Sequence, residues 1–211
     1  NQTWQISIPA TKGIDADTRA LVWGDKSLKA EWTTTDKIYV VKGSGTSATI
    51  DTNTLSPDAN GSSANLVGEL AGTYNEGDEL TLVLGFYNSG SVLYKWLNYE
   101  RTYDSEGGNM VYQKGTKESV AYFDYASATV TVTAVSGSTI MTTPANFKPC
   151  QSIFRISFTD GTNPVKAKSV KISNNTEKLV SIYNIVEGSY SKYGSIPFDL
   201  LHLYWYKGWN I

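Results

Sequence analysis

An all-β fold, built as a two-sheet antiparallel β-sandwich, is what three features of this 211-residue sequence predict. Short stretches alternate between apolar and polar residues, the period at which strand side chains point to opposite faces. The segments between them are rich in Gly, Asn, Asp and Ser, which accept positive φ or pre-set a turn. Long helical periodicity is missing, so no strand-helix-strand unit is available to cover a parallel sheet. Two antiparallel sheets packed face to face, with at most one short helix, are the layered solution that remains.

The first element is "TWQISIP", with Trp4, Ile6 and Ile8 on one face and Gln5 and Ser7 on the other. Leu28, Ala30 and Trp32 alternate next, followed by Ile38 and Val40, and then by Leu80, Leu82, Leu84 and Phe86. Further along come Val130 and Val132, then Phe154, Ile156 and Phe158, then Val170 and Ile172, and last Val180, Ile182 and Val186. Residues 116–126 are expected to hold one or two helical turns, with Thr116 as cap and Val120 and Phe123 facing inward. Residues 1–190 read as one sandwich domain. Residues 191–211 gain aromatics and lose the Thr/Ser/Gly texture, as a tail or the start of a truncated second domain would.

Composition removes several classes of function. The 18 Lys and Arg against 20 Asp and Glu are spread along the chain, without the basic surface that nucleic acid requires. The longest apolar run, Leu80 to Tyr87, is far short of the roughly 20 residues of a membrane-spanning helix. Cys150 and His202 are the only residues of their kinds, which rules out an intrachain disulfide and a zinc site with several His or Cys ligands. The chain begins at Asn1 with no signal peptide, so it is expected to be a mature or trimmed form.

Catalytic motifs fare no better. "GSGTSA" after Val41 has the outline of a dinucleotide-binding turn, but β-branched residues and a proline follow where a helix is needed, so Gly43 and Gly45 read as hairpin-turn glycines. Glu76, Asp78 and Glu79 crowd one turn instead of facing each other across a cleft as glycosidase carboxylates do. No cofactor, metal ligand set or catalytic group is assigned. Six tryptophans and fourteen tyrosines keep a carbohydrate-binding β-sandwich as the alternative, since exposed rings can stack on sugars. Trp4, Trp23 and Trp32 lie on or beside alternating apolar faces and are expected to be core; Trp96, Trp205 and Trp209 are not.

The run of residues also resembles a known family. "TRALVWGDKSLKAEWTTTDKIYVVKG", "LVGELAGTYNEGDELTLVLGF", "YFDYASATVTVTAVSGSTIMTTPANFKPCQSIFRISFTD" and "VKISN" together look like the amino-terminal domain of Bacteroidia-type fimbrillins, the subunits of type V pili. The likeness spans about residues 4–187 and lies in the order and spacing of loose motifs. It implies a transthyretin-like sandwich, a lipoprotein whose lipidated segment lies upstream of Asn1, and a place in a fimbrium on the outer membrane at the bacterial cell surface. It also implies a cell-adhesion role without enzymatic activity, with other fimbrial subunits and a host protein or glycan as partners.

In that family an extracellular arginine-specific protease cuts a loop after the first strand, and a strand from another subunit fills the groove. The TRAL motif places Arg19 and Ala20 at that site. The removable strand would then carry Trp4, Ile6 and Ile8, whose burial stabilises by about 1.5–3 kcal/mol each. Family members usually continue into a second domain of similar length that supplies the donated strand, whereas this sequence stops at Ile211. "DLLHLYWY", with Leu201, Leu203 and Trp205 on one face, is the candidate donor, or else the last strand of the sandwich.

Overall fold

The computed structural model describes residues 3–12, 22–23, 28–29, 31–44, 47–85, 87–89, 92–96, 99–102, 109–112, 125–149, 159–165, 182–184 and 189–191. Among these residues the regular structure is all β. The main sheet is made of β1 (Trp4–Lys12), β4 (Ile38–Lys42), β5 (Thr49–Pro57), β6 (Ser63–Leu70), β7 (Glu79–Leu84), β12 (Ala126–Ser136), β13 (Thr139–Thr142) and β14 (Ala145–Pro149). Two separate two-stranded sheets pair β2 (Val22–Trp23) with β3 (Leu28–Lys29) and β10 (Tyr99–Thr102) with β11 (Asn109–Tyr112). A four-stranded sheet joins β8 (Tyr87–Ser89), β9 (Val92–Trp96), β15 (Ile182–Asn184) and β16 (Ser189–Ser191).

The all-β expectation holds, but the two-sheet sandwich is corrected. The main sheet closes on itself through β1, β6, β5, β4, β7, β12 and β14, making a barrel of seven strands. Closure follows from β1, which pairs antiparallel with β6 along Trp4–Thr11 and parallel with β13 and β14 on its other edge. Irregularities bend the strands around the corners, as an extra residue in one strand does. In β5, Asp51, Thr52 and Asn53 face the single residue Val40 of β4. In β12 the register shifts between Val132 and Ala134.

The barrel interior is filled from alternating positions. Ile6, Ile8 and Ala10 of β1 meet Ile38, Val40, Leu55, Leu66, Leu70, Leu80, Leu82, Val130, Val132 and Phe147 in one buried cluster. Val41 and Val83 point outward, yet they too are buried, because Leu93 of β9 and Tyr125 cover them.

Trp32 belongs to the core as expected, but through an isolated bridge to Gly61 instead of a strand from Leu28. Residues 116–124 of the expected helix lie outside the described residues, and the chain enters β12 at Ala126. The alternating positions from Phe154 to Phe158 and from Val170 to Val180 lie outside them too. So does the tail beyond Ser191.

Candidate functional site

The site of interest is the slot that holds β1, together with the polar clusters at its two ends. Along β1 the side chains at 6, 8, 10 and 12 are buried, while those at 5, 7 and 9 are exposed. Ile6 and Ile8 keep 4% and 0% of their surface, and Trp4 is half-buried.

Pro9 tests how the strand fits, since proline donates nothing to a ladder. The Gln5 amide donates to Ser138 and the Lys12 amide to Ser62, so alternation turns the nitrogen of Pro9 toward the β13 and β14 side. There the parallel pairing breaks between Ile6 with Ile140 and Ala10 with Ala145. The missing donor coincides with the missing partner.

At the start of β1, the Trp4 indole N–H donates to the Gly72 carbonyl at 2.9 Å. The segment Ala71–Tyr74 is itself held by Asp51, the residue that the β5 irregularity turns inward. Its carboxylate accepts the amides of Asn53 at 2.9 Å, Ala71 at 2.9 Å and Gly72 at 2.8 Å, and the Tyr74 hydroxyl at 2.6 Å. Burial, and then the Asp51 carboxylate, push the Tyr74 hydroxyl far above its ordinary range, so it stays a donor.

Lys42 lies over the Tyr74 ring at 5.8 Å, donates to the Thr73 carbonyl at 2.9 Å and pairs with Asp78 at 2.5 Å. For Asp78, burial acts to raise the pKa, but the Lys42 hydrogen bond and the Asn75 amide outweigh it, and the net shift is downward. A small cleft of about 140 Å³ lies among these residues.

At the end of β1, the Lys12 side chain keeps 1% of its surface. Its ammonium donates to the Glu31 carbonyl and to Oδ2 of Asp36, both at 2.7 Å, and sits 4.3 Å from the centre of the Trp32 ring. The contacts that shape the box around it come from outside β1, although Gly61 adjoins Ser62, the acceptor of the Lys12 amide, and Phe147 is the β14 partner of Lys12. The Thr33 amide and hydroxyl hold the Asp36 carboxylate at 3.1 and 2.9 Å. Trp32 exchanges backbone hydrogen bonds with Gly61 and meets Phe147 edge-on, with ring centres 5.0 Å apart.

Other expected features are placed as follows. Gly43 adopts φ 79° in the β4–β5 connection, the hairpin role foreseen for it; Gly45 lies outside the described residues. Asp78 closes the turn begun by Asn75 and pairs with Lys42 rather than with a second carboxylate. Arg19, Ala20, Cys150, Leu201, His202, Leu203, Trp205 and Trp209 lie outside the described residues, as do the side chains of Trp23 and Trp96.

Trp32 is fully buried and offers no ring face to a sugar, while Trp4 is half-buried with its indole N–H tied to Gly72. Among the described residues there is no group of three His, Cys, Asp or Glu able to hold a metal ion, and no helix long and apolar enough to cross a membrane. Comparison with protein-family models, with curated proteins and with solved structures returns no match.

Sequence reasoning passed over Lys12, Asp36, Asp51 and Tyr74. A signal was present for Lys12, which continues the inward series of Ile6, Ile8 and Ala10, a position where an unpaired charge does not belong.

Proposed function

We propose that this chain is a non-enzymatic fimbrial subunit of fimbrillin type, displayed on the outer membrane at the bacterial surface, whose assembly proceeds by loss of β1 and its replacement by a strand from another subunit. On this reading the closed barrel is the counterpart of the family's transthyretin-like sandwich. An extracellular arginine-specific protease cuts between Arg19 and Ala20, the lipid anchor lies upstream, and adhesion to a host protein or glycan is the downstream role.

The observation that carries the reading is the placement of β1. It is the first strand of the chain, yet it is paired along both edges and delivers Ile6 and Ile8 to the core. Burial of those two side chains alone is worth about 3–6 kcal/mol. A folded domain has only about 5–15 kcal/mol in hand. Loss of β1 therefore leaves an apolar trough and unpaired backbone groups on β6 and on β13 and β14, a template for another strand.

The test is limited digestion with an arginine-specific protease, followed by mass spectrometry and light scattering. The expected result is first cleavage after Arg19 and growth of oligomers, with Arg19→Ala remaining monomeric. First cleavage at Arg101 or Arg155 with Arg19 resistant, or a cleaved protein that stays monomeric, overturns the proposal.

A further inference from the structure

Lys12 occupies a site that an apolar strand does not need. Ile6, Ile8 and Ala10 already give β1 an inward face, and a buried ammonium adds a desolvation cost unless it is fully met. Here the Glu31 carbonyl and the Asp36 carboxylate meet it at 2.7 Å each, and the Trp32 face lies 4.3 Å away. The Thr33 amide and hydroxyl orient Asp36, the Gly61 bridge holds Trp32, and the Thr34 amide donates to Asn60 at 3.0 Å. Those supports come from residues 33–34 and 60–61, the latter adjoining Ser62, whose carbonyl accepts the Lys12 amide.

Resting on the strand-replacement reading above, we propose that the box of Glu31, Trp32 and Asp36 is a lysine-recognition site that sets the register of whatever strand fills the slot. A strand shifted by one residue turns its apolar face outward, and one shifted by two leaves the partly exposed Asp36 carboxylate and the Glu31 carbonyl without their cation. The occupant must therefore present large apolar residues six and four positions before a lysine, and a small residue two positions before it fits best.

Apart from Lys12, one lysine in the sequence has large apolar residues both six and four positions before it. It is Lys207, preceded by Leu201 and Leu203. Residues 201–207 of a second copy are thus the occupant the slot selects. Trp205 falls on the register of Ala10, a position only 3% exposed, so the tail fits less well than the native strand. That order of fit keeps the intact chain closed, because a tethered β1 acts at a high effective concentration that cleavage abolishes.

The test uses the full chain with a site-specific protease sequence inserted between Asp15 and Ala16, cut so that β1 stays bound without a covalent link. Fluorescent peptides of residues 1–14 and 199–211 are then added, and their entry is followed by anisotropy. The native 1–14 peptide is expected to enter, and its Lys12→Met variant to bind roughly tenfold to a hundredfold more weakly. The 199–211 peptide is expected to enter more weakly than 1–14, to lose binding on Lys207→Met and to gain it on Trp205→Ala. Asp36→Asn in the body should shrink the difference between the native 1–14 peptide and its Lys12→Met variant.

Equal binding of the native 1–14 peptide and its Lys12→Met variant overturns the lysine site while leaving strand replacement standing. Failure of the 199–211 peptide and of its Trp205→Ala form, where 1–14 enters, overturns the tail as occupant. If no peptide enters, strand replacement itself fails and the lysine site with it.

Discussion

The Tyr74 hydroxyl donates a 2.6 Å hydrogen bond to Oδ2 of Asp51, a carboxylate turned inward where β5 departs from regular pairing with β4. Through the Gly72 amide the same carboxylate holds the segment whose carbonyl receives the Trp4 indole N–H. Two buried polar groups thereby fix the place where β1 begins.

Tyr74→Phe removes the shortest donor to Asp51 but leaves the amides of Asn53, Ala71 and Gly72. The expected loss is about 1.5–3 kcal/mol in urea unfolding at neutral pH. The pH dependence has a definite sign. The hydroxyl pKa is raised in the folded state above its ordinary 10.0, so the folded protein binds the proton more tightly than the unfolded chain. Its contribution is complete below about pH 10 and is lost as pH climbs toward the folded value. Wild-type stability should therefore fall on alkalinisation past about pH 10, and Tyr74→Phe should fall less steeply. Parallel slopes for the two proteins would contradict the arrangement.

Acidification tests the neighbouring ion pair. Asp78 has a lowered pKa: burial acts to raise it, but the Lys42 hydrogen bond and the Asn75 amide outweigh burial. Its contribution is present above the unfolded value of 3.8 and disappears as pH drops through the folded value. Both side chains are partly open to water, so Lys42→Met should cost no more than about 1 kcal/mol at pH 7. The gap between variant and wild type should close below about pH 3.8 in urea titrations run across the acid range.

How much of this was legible depends on what each residue faces. The alternation of Ile6 with Ile8, of Leu80 with Leu82 and of Val130 with Val132 announced β1, β7 and β12, because one side of each meets the core. β5 and β6 left no such trace. Asp51 and Asn53 interrupt β5 where its pairing is irregular, and Gly68 takes a place in β6 where side chains are expected. Closure of the sheet was equally hidden, since it depends on β1 meeting β6 and β14 at once, and alternation within a strand says nothing of its neighbours. Lys12 and Asp36 lie 24 positions apart, and only the fold brings their charges together.

Ile8 and Ser7 are adjacent in β1 and should respond in opposite ways. Ile8 has no exposed surface, whereas Ser7 points to solvent. Ile8→Ala should cost about 2–5 kcal/mol, the transfer of the lost methyl groups plus the cavity they leave. Ser7→Ala should stay within about 0.5 kcal/mol. Urea unfolding at constant m-value checks both. A small effect of Ile8→Ala would mean that β1 contributes little to the barrel, and the slot would lose its significance.

Gly68 gives the sharpest local test of how β6 sits in the barrel. It pairs with Ile6 across the β1 ladder, and a Cβ at position 68 would lie 2.9 Å from Cδ2 of Leu55 and 3.1 Å from the Thr54 carbonyl oxygen. Leu55 is fully buried, so its side chain has nowhere to retreat, and Thr54 presents backbone. Gly68→Ala should therefore destabilise by about 1–3 kcal/mol, the cost of forcing atoms into a filled core. That sign runs against the general preference, since alanine in place of a strand glycine ordinarily reduces the entropy lost on folding. Thermal unfolding of the variant decides between them, and a higher midpoint for Gly68→Ala would show that β6 and β5 are not packed at this distance.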